Sequence, residues 1–352
     1  MILHVDMDYF FAQIEEKRHP EYEGKIIAVC VYSGRTETSG IVSTTNYLGR
    51  KYGIHSGMPI QDAMKKVPPA DSVFLPVDRK EYERISMTID SIIRKYSNNV
   101  EKRSIDEWYL EIEDKIAEET ANAIKNEIKK TMNFDCTVGG APSWIGAKMA
   151  TTSAKPNGLL LLDSFEENRM IDESTVSKIP GIGKKTSEML TEIGVYKIND
   201  LRNVDPVQVI EIFGKKTGSW LVNLGKGNYE NGLPAKQNEV QNEISHIGTL
   251  KEKTREPYLI THKLFTLLGE PEEWMKKHAM NYKTITTIII TDDLKTHTKS
   301  LTFRKPKKPS ESIRDELTTI ILQFLAENNK EVYRIGIKFS NFVSMVGQTT
   351  LF

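Results

Sequence analysis

The chain is poor in several things, and each shortage excludes something. It has two cysteines in 352 residues, Cys30 and Cys136, far apart and without a CxxC pair or a histidine-bearing zinc pattern. A disulfide framework and a structural zinc site are therefore excluded, and two ordinary buried thiols in a reducing compartment are expected. It has no uninterrupted apolar run near the length of a membrane span, and no basic stretch followed by an apolar one at its N-terminus. Neither a membrane helix nor a signal peptide is expected, and the expected location is cytoplasmic. It has no net charge, because 48 lysines and arginines balance 48 acids. Nucleic-acid binding cannot be read from the overall field and must come from local patches. What the chain does have is 39% hydrophobic residues, ample material for the cores of a multidomain globular protein.

Residues 2–5 and 26–31 read as buried strands, with a helix over 12–18 that stops near His19-Pro20. After a polar, Gly-rich stretch, the segments IVSTTNYLGRKYGI, GMPIQDAMKKV and PPADS read as a small loop-rich insertion. Tyr82, Ile85, Ile89, Ile92, Ile93 and Tyr96 recur at helical spacing, and so do Ile116, Ile124, Ile128 and Met132. Between them EKRSIDEWYLEI is β-prone, and FDCTVGG supplies another strand. This order predicts an α/β sheet with acids on two strands: Asp6 and Asp8 ending the first, Asp106 and Glu107 within another. From about Asp163 the pattern becomes short helices punctuated by glycine, and residues 231–242 read as an exposed linker. One helix, the strands TITTIIITDDL and KSLTFRK, a second helix and the strand YRIGIKF then predict a further α/β domain. There is no internal repeat.

Clustered acids on a sheet repel unless a cation lies between them. Two Mg²⁺ ions would supply it, with hard oxygen ligands completed by phosphate and water. The competing reading makes Asp8 and Glu107 surface charges and Asp106 a turn or cap residue.

The neighbouring residues add to this. VDMDYFF, TTNYLGRKYGIHSGMP, SIDEWYLEI, AKPNG and PGIGKK occur in this order along essentially the whole chain. Together they resemble the Y-family, lesion-bypass DNA polymerases, in the DNA polymerase IV branch with its archaeal members. The resemblance implies an α+β multidomain right-hand polymerase: palm (1–10 and 77–165), fingers (11–76), helical thumb with a helix-hairpin-helix (166–230), linker (231–242), α/β little finger (243–341) and tail (342–352). It implies error-prone, template-directed synthesis from deoxynucleotides, with two Mg²⁺ ions per site. Asp6 and Asp106 would bridge the metals, Glu107 would join them at the ion that activates the primer, and Met7 would offer its backbone carbonyl. Asp8 matches an acid with a supporting role. Tyr9 and Phe10 would line the triphosphate site, Phe10 reading equally well as core, and Phe11 would be the steric gate against a 2′-hydroxyl. Tyr47, Arg50 and Lys155, with Thr44, match the triphosphate contacts.

IPGIGKKT is also a helix-hairpin-helix signature: Gly181 and Gly183 make a turn whose helix N–H groups, with Lys184 and Lys185, would face a DNA phosphate. A simple helix connection is the alternative. A P-loop is excluded, since it needs Gly where Lys178 stands and Ser or Thr where Lys185 stands. In the last domain Tyr333, Ile335, Ile337 and Phe339 should face the core with Leu301 and Phe303, opposite Arg334, Lys338, Ser300, Thr302 and Arg304. The basic, hydroxyl-rich face would lie along DNA or simply be solvated. The terminal GQTTLF, with Gln348, Leu351 and Phe352, resembles a peptide that binds a sliding clamp. Nothing requires more than a monomer.

Two places depart from the family pattern. Trp108 stands where a small residue is usual, and Trp144-Ile145-Gly146 with Thr151-Thr152 replace an Asn-Lys, an aliphatic pair and an acid, while Lys148 remains. These put the palm geometry in doubt. A nucleotide cyclase and an inactive DNA-binding scaffold are the competing readings.

Overall fold

The structure, a computed structural model, describes residues 1–229, 232–234, 242–309 and 311–344. Contacts divide the chain into two units, Met1–Cys30, Ser43–Ser56 and Lys66–Gln237 in one and Val31–Val42, Gly57–Lys65 and Asn238–Phe352 in the other.

In the first unit β1 (Ile2–Asp6) is the middle strand of a five-stranded sheet. On one side lie β6 (Glu107–Glu111) and then β5 (Val100–Lys102); on the other lie β7 (Thr137–Ala141) and then β8 (Leu159–Leu161). β1 runs antiparallel to both neighbours, and the registers Leu3↔Leu110 and Val5↔Trp108 alternate with His4↔Tyr109 and Asp6↔Glu107. Alternation thus sorts the strands into two faces. The apolar face packs on α4 (Arg79–Ile93) and α5 (Ala117–Met132) through Tyr82, Ile89, Ile93, Ile124 and Ile128, in a core that also takes Phe10 and Ile14 of α1 (Phe10–Arg18). The other face is covered by α6 (Trp144–Ala154), which sits close because β7 has Gly139 beneath it: a Cβ there would lie 2.2 Å from the Thr151 nitrogen.

With both edges of β1 filled, β2 (Ile26–Tyr32) pairs elsewhere. It joins β3 (Gly40–Thr45) and β4 (Ser72–Pro76) in a separate sheet, so the region expected as loop-rich is a sheet with two short helices, α2 (Tyr47–Lys51) and α3 (Ile60–Met64). Asp106 also departs from expectation. It lies in the turn just before β6, not in a strand, and its carbonyl accepts from Met7 N at 3.1 Å. Then come α7 (Ser164–Glu173), opened by an Asp163–Glu166 capping box, α8 (Lys184–Glu192) and α9 (Pro206–Gly225), the last broken at Gly214 (φ 76°, ψ 162°). They enclose their own small core of Ile171, Ile182, Leu190 and Leu221.

The second unit is built on an antiparallel sheet in the order β11-β10-β12-β9: β9 (Glu243–Thr254), β10 (Met280–Thr291), β11 (Thr296–Lys307) and β12 (Val332–Ser344). α10 (Pro257–Thr266), α11 (Gly269–Lys277) and α12 (Arg314–Glu327) carry its core residues, among them Leu264, Met275 and Leu317. Three expectations fail here. β9 was not anticipated, because it is an edge strand with one fully buried residue, Leu250, and shows no alternation to read. The single expected helix is two, α10 and α11. Leu301 and Tyr333 are not core: β11 is an edge strand, Leu301 is 36% exposed, and Tyr333 is half-buried with Arg35 over its ring at 4.9 Å.

Candidate active site

The register that pairs β1 with β6 sets Asp6 directly opposite Glu107 on one face. Like charges so placed destabilise a sheet. Each carboxylate is therefore met by a lysine. Lys155 Nζ lies 2.6 Å from Asp6 Oδ2, and Lys148 Nζ donates to both Glu107 oxygens at 2.9 and 2.8 Å. Lys148 lies within α6 and Lys155 is its C-cap, seven residues or two turns on, so both lie along one side of it. α6 is fixed at its start by Ser143, whose hydroxyl accepts from Gly146 N at 3.1 Å and donates to the Glu167 carboxylate at 2.5 Å.

Burial pushes Asp6 up to about 6, against the pull of Lys155. Burial also raises Glu107, but His4 and Lys148 outweigh it and hold that carboxyl at about 2. The third acid, Asp106, accepts from the Ser104 hydroxyl. Asp8 plays a different part. It is buried and fully engaged by Tyr47 Oη at 3.1 Å, Thr137 Oγ1 at 2.9 Å and Asn157 N at 2.8 Å.

The aromatics follow at the β1–α1 corner. Tyr9 precedes α1 with φ 33° and ψ 40°, an uncommon conformation for a bulky residue, and Gln13 locks the corner by donating to the Asp8 and Asp135 carbonyls. Phe11 stacks on Tyr82 with centroids 4.4 Å apart and planes 21° apart, and Tyr82 is held by Glu15 at 2.7 Å. A cavity of about 300 Å³ gathers these groups: the acids Asp6, Asp106 and Glu107, the cations Lys155 and Arg50, the hydroxyls of Ser43 and Thr44, and the rings of Tyr9, Phe10 and Phe11. Phe10 is both core and cavity wall. Tyr47 does not line the cavity; its hydroxyl is given to Asp8, with Arg50 4.8 Å over its ring. Met7 is buried behind it.

Trp108 leaves the acids alone. It points to the other face of the sheet, fully buried, with Nε1 donating to Asp90 at 2.9 Å.

The Gly181 turn and Glu107 share a second cleft, of about 570 Å³, whose lining also includes Arg103, Lys148 and Trp144. Gly181 has φ +96°, where only glycine is unstrained, and Gly183 caps α8 with no side-chain cap, beside exposed Lys184 and Lys185. On the second unit's sheet Arg334 and Lys338 share a face with Thr284, Thr286, Ser300 and Thr302, which bond in pairs at 2.9 and 2.8 Å. Lys338 is held by Glu243 at 2.9 Å, and Arg304 is exposed. Gln348, Leu351 and Phe352 lie outside the described residues.

For a divalent cation the donor chemistry fits: hard carboxylate oxygens, two of them already drawing ammonium groups. Among the described residues no three Asp, Glu, His or Cys side chains yet converge on one point. Sequence reasoning named most of this lining but missed Ser43, Ser104 and the anchoring role of Lys148. It also missed His4 and Thr151, although His4 stands at an i, i+2 position to Asp6 and so shares its face.

Residues 5–152 match the impB/mucB/samB family, 241–351 the C-terminal domain of that family, and 177–228 the DNA polymerase-iota thumb domain. DNA polymerase IV of Methanosarcina acetivorans is 36% identical over 100% of this chain and 98% of its own length. The chain belongs to the Y family of DNA polymerases. DNA polymerase IV of Saccharolobus solfataricus is 34% identical to this Y-family chain, over 100% of it and 99% of the relative. A solved Y-family DNA polymerase chimera, Dbh-Dpo4(243-245)-Dbh, matches the Y-family fold at a TM-score of 0.87 and 32% identity, covering 97% of this chain and 99% of that one. An insertion ternary complex of Dbh DNA polymerase matches at 0.65 with 32% identity and the same coverage. The expected fold class, an α+β multidomain polymerase, is thus the one found.

Proposed function

We propose that this Y-family chain is a template-directed DNA polymerase for translesion synthesis, adding deoxynucleotides to a primer 3′-hydroxyl. The observation that carries the reading is the register pair Asp6↔Glu107, with Asp106 beside it, opening on one cavity that also holds Lys155 and Arg50. Asp6, Asp106, Glu107 and the Met7 carbonyl would hold two Mg²⁺ ions. Such ions lower the pKa of the attacking hydroxyl and neutralise the leaving pyrophosphate.

The chain's own residues do the rest. Lys155 and Arg50, with Thr44 and the backbone at Tyr9 and Phe10, hold the triphosphate; Tyr47 supports them through its grip on Asp8 and its ring beneath Arg50. Phe11 excludes a ribose. The Gly181–Gly183 turn with Lys184 and Lys185 holds primer-template phosphates, and Arg304, Arg334 and Lys338 track the duplex. The palm, fingers, thumb, little finger and tail have the bounds the sequence suggests, the tail reaches a sliding clamp through Gln348, Leu351 and Phe352, and the protein works as a cytoplasmic monomer. The shared cleft of Glu107 and Gly181 argues against a cyclase, which needs no DNA phosphate site.

Asp106→Ala tests the metal reading. Extension should fall roughly a thousandfold, the scale of losing a metal's several kcal/mol, while primer-template affinity by fluorescence anisotropy stays unchanged. Equal loss of DNA affinity would place Asp106 in the scaffold instead.

A further inference from the structure

Behind Glu107, on the face that α6 covers, stands a buried histidine that the proposed chemistry leaves unused. His4 lies two residues before Asp6 on β1, and its register partner Tyr109 lies two residues beyond Glu107 on β6. All four side chains therefore share a face. The imidazole is fully buried. It is held between the Tyr109 ring, 4.4 Å away, and Thr151, whose Oγ1 lies 2.9 Å from Nδ1.

The other nitrogen, Nε2, has no hydrogen-bond partner. Glu107 Oε2 is 3.9 Å from it, too far for a hydrogen bond, because Lys148 holds both Glu107 oxygens at 2.8 and 2.9 Å. A neutral ring carries one proton, and two arrangements are open. The Thr151 hydroxyl also lies 2.9 Å from the Ala147 carbonyl and 3.1 Å from that of His4, and it has one proton to give. If it bonds a carbonyl, Nδ1 must be the donor, and Nε2 then aims a lone pair at a carboxylate. If it donates to Nδ1, Nε2 carries the proton and faces an acceptor. The second leaves two carbonyls facing the hydroxyl oxygen without its proton, but the first sets a lone pair against a full carboxylate charge, the larger repulsion.

We infer that His4 is a positioning residue for Glu107: Thr151 fixes the Nε2–H tautomer, and that N–H takes one Glu107 oxygen when Lys148 releases it, leaving the other oxygen for the divalent cation. The inference rests on the reading of Glu107 as a metal ligand.

Histidine-selective ¹⁵N NMR of the full chain reads the tautomer directly, the His4 signal among seven being assigned by its loss in His4→Phe. Nε2–H is expected, and Nδ1–H would overturn the inference. His4→Phe and Thr151→Val should each lower the maximal rate of single-nucleotide incorporation about tenfold, the size of effect that outer partners of metal ligands show. Their affinities for DNA and deoxynucleotide should stay unchanged, and His4→Gln, which keeps an N–H donor, should recover most of the rate. Mn²⁺ binding by EPR, with a chain-terminated primer so that nothing turns over, should weaken severalfold in His4→Phe. Unchanged rate and Mn²⁺ affinity in His4→Phe would sink the inference. Should that variant fail to fold, Thr151→Val and the wild-type tautomer decide. Failure of the wild type to incorporate would instead remove the polymerase reading, and the tautomer would still be measured.

Discussion

Phe11 is the residue at which shape alone would choose a substrate. Its ring lies flat on Tyr82, which Glu15 pins through its hydroxyl, so the ring cannot yield to an incoming group. Phe11→Ala should therefore lower discrimination against ribonucleotides by about 100-fold, the range that pocket shape can supply, in steady-state incorporation of each sugar. Unchanged discrimination would remove Phe11 from that role. The sequence shows this residue and the acids, because their order in VDMDYFF and SIDEWYLEI is explicit. It does not show what each acid touches. Asp6 and Asp8 are equivalent by spacing alone, and only the resemblance gives them different roles; one faces a lysine in the cavity and the other is bound by Tyr47, Thr137 and Asn157. Trp108, a cause for doubt in the sequence, is harmless for the same reason that Glu107 is useful: neighbours on a strand face opposite ways.

At the scale of elements, the close seat of α6 on β7 places both lysines. A Cβ at Gly139 would come within 2.2 Å of the Thr151 nitrogen and 2.4 Å of the Ala147 carbonyl, backbone atoms that cannot step aside without the helix. Gly139→Ala should cost about 1–3 kcal/mol, as overpacking does, visible as a lowered melting temperature. It should also slow incorporation, because Lys148 and Lys155 ride on the displaced helix; full rate at an unchanged melting temperature would contradict this. Elements with a strong period were legible, as α4 and α5 are, and β1 was legible as a short apolar run. β9 was not, because an edge strand has no buried face to print an alternation, and the turn holding Asp106 was hidden by its β-prone neighbours.

For the whole molecule, zero net charge leaves DNA binding to local faces, and the one proposed is the threonine- and serine-rich face carrying Arg334 and Lys338. Arg334→Ala should weaken primer-template binding and reduce the slope of log affinity against log salt by about one; an unchanged slope would make this face merely solvated. The first unit holds buried clusters in its five-stranded sheet and in its helical segment, and the second holds one on its own sheet. The most direct measurement of the activity is extension of a labelled primer on four templates that differ in one templating base, with divalent cation and all four deoxynucleotides present or withheld. The nucleotide added should follow the template base and require the cation. No extension by protein that binds the primer-template, or nucleotide product formed without primer, would contradict a template-directed polymerase.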